Sequence, residues 1–188
     1  FIGTGMSLRY LENSYSWNSL LQKIASDFNP DPEYYLDLKA EHMQSTGYAY
    51  EQIAAQIEKD FNQCLKENRH GKFEYINDLF YENIRNGTNI SRFKLYLADL
   101  LKEVIIKDSA LPEIAELKKA RKNISSVITT NYDQMIEQLF SFNPLIGNDI
   151  LLSNPYGSVY KIHGCVTQPG KIIITENDYE EFNRKYEL

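Results

Sequence analysis

From Trp17 to Lys122 apolar residues return every three or four positions, and at Ile124 that rhythm stops. A chain whose period shifts from 3.6 towards 2 part-way along must combine helices with strands. Ser16 is a good N-cap for a first helix carrying Trp17, Leu20, Leu21, Ile24 and Phe28, which ends at Asn29-Pro30. Asp31-Pro32 supplies the cap and first-turn proline of a second helix, expected to reach Ser45 before Gly47 stops it. Ile53, Ile57, Phe61, Cys64 and Leu65 mark a third, from about Tyr48 to Asn68; Ile76, Leu79 and Phe80 mark a fourth. Phe93, Leu97, Leu100, Leu101 and Val104 mark a fifth after Ser91, and Pro112 opens a short sixth. No strand is expected between residues 17 and 122.

The run Ile124 to Thr130 is β-branched and ends in Asn131, after which Met135, Ile136 and Leu139 return to helical spacing. Phe1 and Ile2 read as the end of a buried strand, Gly3-Thr4-Gly5-Met6-Ser7 as the turn after it, and Leu8 to Leu11 as entry to a helix. Ile150 to Ser153, Val159 to Ile162 and Lys171 to Thr175 read as three further strands. Thr175 with Asp178 forms the pattern of a capping box for a last helix through Tyr179 and Phe182. Strands alternating with helices predict an α/β fold with a mainly parallel sheet, in a single domain over residues 1–188. A large helical insertion, 29–123, separates the first strand from the second. Ligands of such sheets bind outside the carboxyl ends of the strands. Here those ends are Gly3-Thr4-Gly5, Thr130-Asn131 and His163-Gly164.

Charge narrows the partners. Asp and Glu number 26 against 20 Lys and Arg, a net charge of -6 that repels a phosphate backbone, so no nucleic-acid partner is expected. The dense basic run Lys118, Lys119, Arg121 and Lys122 has no interleaved aromatics and reads as a solvated helix face. The two cysteines, Cys64 and Cys165, form no CxxC pair, and His42 and His70 have no spaced partners, so no metal site is expected and a reducing cytoplasm fits. No stretch approaches the roughly 20 apolar residues of a membrane span. The chain begins at Phe1, without Met, and is expected to be cut from a longer one at both ends.

The candidate site residues each have two readings. Gly3-x-Gly5 is compatible with a pyrophosphate at a helix start or with an ordinary tight turn. The dehydrogenase fingerprint needs a third glycine where Leu8 stands, and no Gly-Lys-Ser/Thr follows for a P-loop. Asn131 either caps the following helix or faces a ligand, and Asp133 is equally able to cap. His163, ending a strand, is a satisfied structural group or a base; Gly164 beside it would let a ligand approach the backbone. Cys165 has no identifiable orienting partner for nucleophilic work.

Taken in order, Phe1-Ile2-Gly3-Thr4-Gly5-Met6-Ser7, Thr129-Thr130-Asn131-Tyr132-Asp133, Lys161-Ile162-His163-Gly164 and Ile173-Ile174-Thr175-Glu176-Asn177-Asp178-Tyr179 resemble the sirtuin-like, or silent-information-regulator-like, NAD-binding domain. More narrowly they resemble the bacterial branch found in anti-phage defence proteins. The resemblance implies a Rossmann-like sheet with NAD as substrate. It implies Gly3, Thr4, Gly5 and Ser7 near the phosphates, Asn131 and Asp133 near the nicotinamide ribose and His163 beside its hydroxyls, with Thr130 and Gly164 also binding the dinucleotide. Asn131 and His163 are the implied catalytic residues.

Deacylase members carry a four-cysteine zinc module after the His-Gly block that helps build an acyl-lysine groove; this chain has one cysteine there, Cys165. Without that groove water is the implied acceptor, giving NAD hydrolysis to nicotinamide and ADP-ribose as an anti-phage depletion device. An NAD-dependent deacylase or ADP-ribosyltransferase, and a noncatalytic NAD or ADP-ribose sensor, are the alternative readings. The resemblance further implies a homo-oligomer or a defence-system partner protein. It also implies a missing C-terminal strand that completes the adenosine side beyond Leu188, and hence poor activity from residues 1–188 alone.

Overall fold

The computed structural model describes residues 1–152 and 156–186. In chain order its main elements are α1 (Thr4–Tyr10), α2 (Trp17–Phe28), α3 (Tyr34–Glu41), β1 (Met43–Gln44), β2 (Gly47–Tyr48), α4 (Tyr50–Glu67), α5 (Glu74–Arg85) and α6 (Arg92–Leu101). They continue with α7 (Leu111–Ala120), β3 (Ser126–Thr129), α8 (Met135–Phe140), β4 (Asn143–Ile146), β5 (Ser158–Lys161) and α9 (Glu176–Tyr186). The chain divides into two compact units, one formed by 1–16 with 98–172 and the other by 17–97 with 173–188. The second unit is mostly helical, and α6 spans the division in the chain.

The first unit is α/β. Its sheet is parallel, in the order β3-β5-β4, and Ile2 bridges Thr129 in the same sense on the free side of β3. Phe1-Ile2 is not the end of a buried strand as expected: Phe1 is 84% exposed, and Ile2 makes a single isolated bridge to Thr129. Val127 and Val159 face a core shared with Tyr10 and Leu11, with Ile114 of α7, and with Met135, Ile136, Leu139 and Phe140 of α8. The apolar spacing read from the sequence is the face that covers this sheet. This arrangement is consistent with a Rossmann-like fold.

Among the described residues, two of the expected strands are not formed. Ile150 to Ser153 falls in a 3-10 segment, Gly147–Leu152, and Ser153 lies outside the described residues. A short apolar run has no period of its own, so it does not distinguish strand from helix. Lys171 to Thr175 is not a strand either: Pro169–Lys171 is a 3-10 turn, and Ile172 and Ile174 are buried without ladder partners. On the side of β5 away from β3 the neighbour is β4, Asn143-Pro144-Leu145-Ile146. It sits at the edge of the sheet, where the missing N–H of Pro144 costs no ladder bond.

The second unit is built around α4, against which α2 and α9 pack. Phe61 of α4 is fully buried and meets the rings of Phe28, Phe73, Phe93 and Tyr96. The second helix stops at Glu41 rather than Ser45, and a two-residue hairpin, Met43↔Tyr48 and Gln44↔Gly47, interrupts the helical run. Gly47, at φ +129, makes that turn possible. The expected capping box of α9 is formed: Asp178 N–H donates to Thr175 Oγ1 at 3.3 Å and Thr175 N–H donates to Asp178 Oδ2 at 3.0 Å. Among the described residues no helix is long and apolar enough to cross a membrane.

Candidate functional site

Sheet register sets the three loop tips side by side. Thr129 pairs with Lys161 across β3 and β5, and Ile2 bridges Thr129 on the other side. Two residues beyond the first pair stand Asn131 and His163, on parallel strands whose backbones run about 4.8 Å apart. Bonds from Ile162 N–H to Thr129 O, 3.1 Å, and from Val166 N–H to Tyr132 O, 3.0 Å, tie the two tips before and after these residues. The tip of β3 is fixed from within as well, since Thr129 Oγ1 accepts from Asn131 N–H at 3.0 Å.

Asn131, Ser7 and Asp133 form one hydrogen-bonded set. Asn131 Nδ2 donates to the Gly3 carbonyl at 3.1 Å and to Ser7 Oγ at 2.8 Å, and Ser7 Oγ donates to Asp133 Oδ2 at 2.7 Å. Asp133 Oδ1 accepts from Met135 N–H at 3.0 Å, so Asp133, and not Asn131, caps α8. Asn131 is 8% exposed and Ser7 4%. The amide orientation follows from its neighbours: a carbonyl can only accept, which turns Nδ2 towards Gly3. Asn131 Oδ1 is then a buried acceptor with no hydrogen-bond donor among the described residues. Such an atom is costly unless something donates to it.

Around this set lies bare backbone. Gly3 precedes α1 and Gly5 lies in its first turn; a Cβ built on either meets no atom within 4 Å, and neither has positive φ. Neither the packing nor the backbone of this chain demands glycine there, so what both provide is open space over the start of α1. The helix begins at Thr4 rather than after Ser7, which brings Ser7 to its buried side. Thr4 and Thr130 are half-buried.

His163 is half-buried, and burial holds its imidazole below the usual 6.5, so it is neutral at neutral pH. The Gly164 N–H donates to Lys161 O at 3.1 Å, closing the turn that carries His163. Gly164 has φ +89, and a Cβ there would stand 2.3 Å from Lys171 O and 2.8 Å from Ile172 Cα. The close approach anticipated at this glycine is therefore made by the chain's own backbone.

Two charged residues were not singled out from the sequence. Lys161, at 1% exposure, reaches the Asp133 carbonyl, and its Nζ lies 3.1 Å from Glu137 Oε1. Burial pushes the Glu137 carboxyl up while Lys161 pulls it down, and neither Glu137 oxygen is hydrogen-bonded among the described residues. The signal was a lysine inside the apolar run Val159 to Ile162 and a glutamate inside Met135 to Phe140. No group of three or more His, Cys, Asp or Glu placed to hold a metal occurs among the described residues.

Residues 125–188 match the family model of the SIR2-like domain, a span that takes in β3, Asn131, Asp133, Lys161, His163 and Gly164. No curated protein matches the chain.

Proposed function

With a sirtuin-like domain in residues 125–188 as premise, we propose that the protein is an NAD hydrolase releasing nicotinamide and ADP-ribose. The observation that carries this reading is Asn131 Oδ1, a buried acceptor with no donor among the described residues, beside the bare backbone of Gly3 and Gly5 and one strand from His163. A dinucleotide fits both halves of that description: ribose hydroxyls and water donate, and phosphates need open backbone.

Cleavage of the nicotinamide–ribose bond expels a neutral base from a cationic one, so no leaving-group acid is needed, and the ribose carbon becomes electron-poor. Asn131 accepts a hydrogen bond from a ribose hydroxyl or from the attacking water. His163, neutral because burial lowers its proton affinity, takes up the proton that water gives off. Asp133, held through Ser7, places negative charge near the ribose. Gly3, Thr4 and Gly5 receive the phosphates, Thr130 lies at the ribose end, and Gly164 acts there through the turn that carries His163. A role in anti-phage defence by NAD depletion, in a homo-oligomer or with a partner protein, extends the same proposal and draws on the motif set read from the sequence.

The test is nicotinamide release from NAD by the full chain, alongside Asn131→Ala and His163→Ala. Turnover in the parent with losses of about 100-fold in each variant is expected. Unchanged rates in both variants would remove those residues from the mechanism.

A further inference from the structure

We propose that Lys161 is a positioning residue, acting through the Asp133 carbonyl to hold Ser7 and, through Ser7, the Asn131 amide in its ligand-facing orientation, with Glu137 as the buried counter-charge. This inference deepens the NAD-hydrolase reading and rests on it for its kinetic part. Its geometric part stands independently.

Asp133 is held at three points. Its Oδ2 accepts from Ser7 at 2.7 Å, its Oδ1 accepts from Met135 N–H at 3.0 Å, and its carbonyl accepts from Lys161 Nζ. Only the third comes from another strand: Lys161 is the register partner of Thr129, so its ammonium ties the loop after β3 to the end of β5. The loop from Thr130 to Asp133 is also held by local turns, by the side-chain bonds to Gly3 and Ser7, and by Val166 N–H on Tyr132 O, and Lys161 is the side chain of β5 that holds it. Ser7 has one role on each side, accepting from Asn131 Nδ2 at 2.8 Å and donating to Asp133, so a shift of Asp133 passes directly to the amide.

An ammonium in a sheet interior requires a partner, and Glu137 lies one turn after Asp133 with Oε1 3.1 Å from Lys161 Nζ. Stability alone gives little reason for the pair, because buried ion pairs are commonly replaceable by apolar residues of similar volume. Its distinctive output is the bond to the Asp133 carbonyl.

The test uses the full chain and the double variant Lys161→Met with Glu137→Leu, which removes the pair without leaving one charge buried. Asn131 side-chain amide exchange, followed by nitrogen-15 NMR, reports its anchoring; nicotinamide release reports turnover. The expected result is a melting temperature near the parent's, at least tenfold faster exchange of the Asn131 amide protons, and at least tenfold lower kcat with KM little changed. Glu137→Gln removes the counter-charge and is expected to lower the melting temperature, but with Lys161 still on the Asp133 carbonyl both readouts, taken well below that transition, stay within twofold of the parent.

Parent-like exchange and turnover in a folded double variant would overturn the proposal. A Glu137→Gln variant as impaired as the double variant would overturn it too, by making the pair's charge the effective element. If the double variant does not fold, Lys161→Arg carries the same test. It keeps a cation on Glu137 but replaces a tetrahedral donor with a planar fork, and parent-like exchange of the Asn131 amide in it would overturn the proposal. Faster exchange in the double variant, with no nicotinamide released by the parent, would sustain the positioning role and defeat the NAD-hydrolase reading.

Discussion

Replacing Gly164 with alanine is expected to loosen the end of the sheet that carries His163. The new Cβ would stand 2.3 Å from Lys171 O and 2.8 Å from both Ile172 Cα and Lys171 C, all backbone atoms that no rotamer change moves away. Overpacking of this kind costs about 1–3 kcal/mol. A φ of +89 adds about 1–2 kcal/mol for a residue bearing a Cβ. The loss therefore falls at about 2–5 kcal/mol, if the strands stay paired. Tryptophan fluorescence is the wrong probe, because the sole tryptophan, Trp17, belongs to the other compact unit. Amide hydrogen exchange at Ser158–Lys161 reads the right one. At about 1.4 kcal/mol per factor of ten, a loss of 2 kcal/mol accelerates exchange roughly 30-fold for amides that open with the unit. Unchanged protection in Gly164→Ala would refute the packing of Gly164 on Lys171 and Ile172, and the backbone placement of His163 derived from it.

Gly5→Ala is expected to behave in the opposite way. Its Cβ meets nothing within 4 Å, so the helix gains about 0.5 kcal/mol in thermal or urea unfolding, while calorimetric NAD binding weakens about tenfold as the methyl fills the space left for phosphate. His163 sets a pH dependence of stability. Its folded pKa is depressed, so its contribution is present above the unfolded value near 6.5 and is lost as pH falls towards the folded value. His163→Asn should flatten that decline in urea melts between pH 5 and 7.5; an unaltered slope would show that another group causes it.

Local chemistry made much of this legible. The capping box at Thr175 and Asp178 spans three residues, and both of its hydrogen bonds are present. The β-branched run at β3 and the glycine at Gly164 each point to a strand end. What escaped depends on partners far along the chain. Ser7 and Asp133 are 126 residues apart, and only the register of Ile2 on Thr129 makes them neighbours. Whether Asn131 or Asp133 capped α8 was undecidable from spacing, because each lies close before the helix; the Gly3 carbonyl settles it by claiming the amide. β4 was hidden by Pro144, an anti-strand signal in a central position but a tolerated residue at an edge. Ile172 and Ile174 carry the alternation of a strand without its ladder, because alternation reports burial and not pairing.

Any group that binds at Asn131 has to be a donor. The Gly3 carbonyl and Ser7 Oγ occupy Nδ2, at 3.1 and 2.8 Å, and leave Oδ1 as the available atom. A ribose hydroxyl or a water meets that need, whereas a phosphate oxygen or the carboxamide oxygen of nicotinamide would face a second acceptor. Asn131→Asp separates this account from one in which the residue merely supplies negative potential to an electron-poor ribose. Aspartate keeps an acceptor in the place of Oδ1 but sets its second oxygen against the Gly3 carbonyl, beside the Asp133 carboxylate that Ser7 already bonds. Two hydrogen bonds of about 1 kcal/mol each are lost, and the carboxylate and carbonyl repel. The expected outcome is turnover at least 30-fold below the parent, no better than Asn131→Ala, in a nicotinamide-release assay at pH 7.5. Parent-level turnover in Asn131→Asp would mean that charge matters there and the amide's orientation does not.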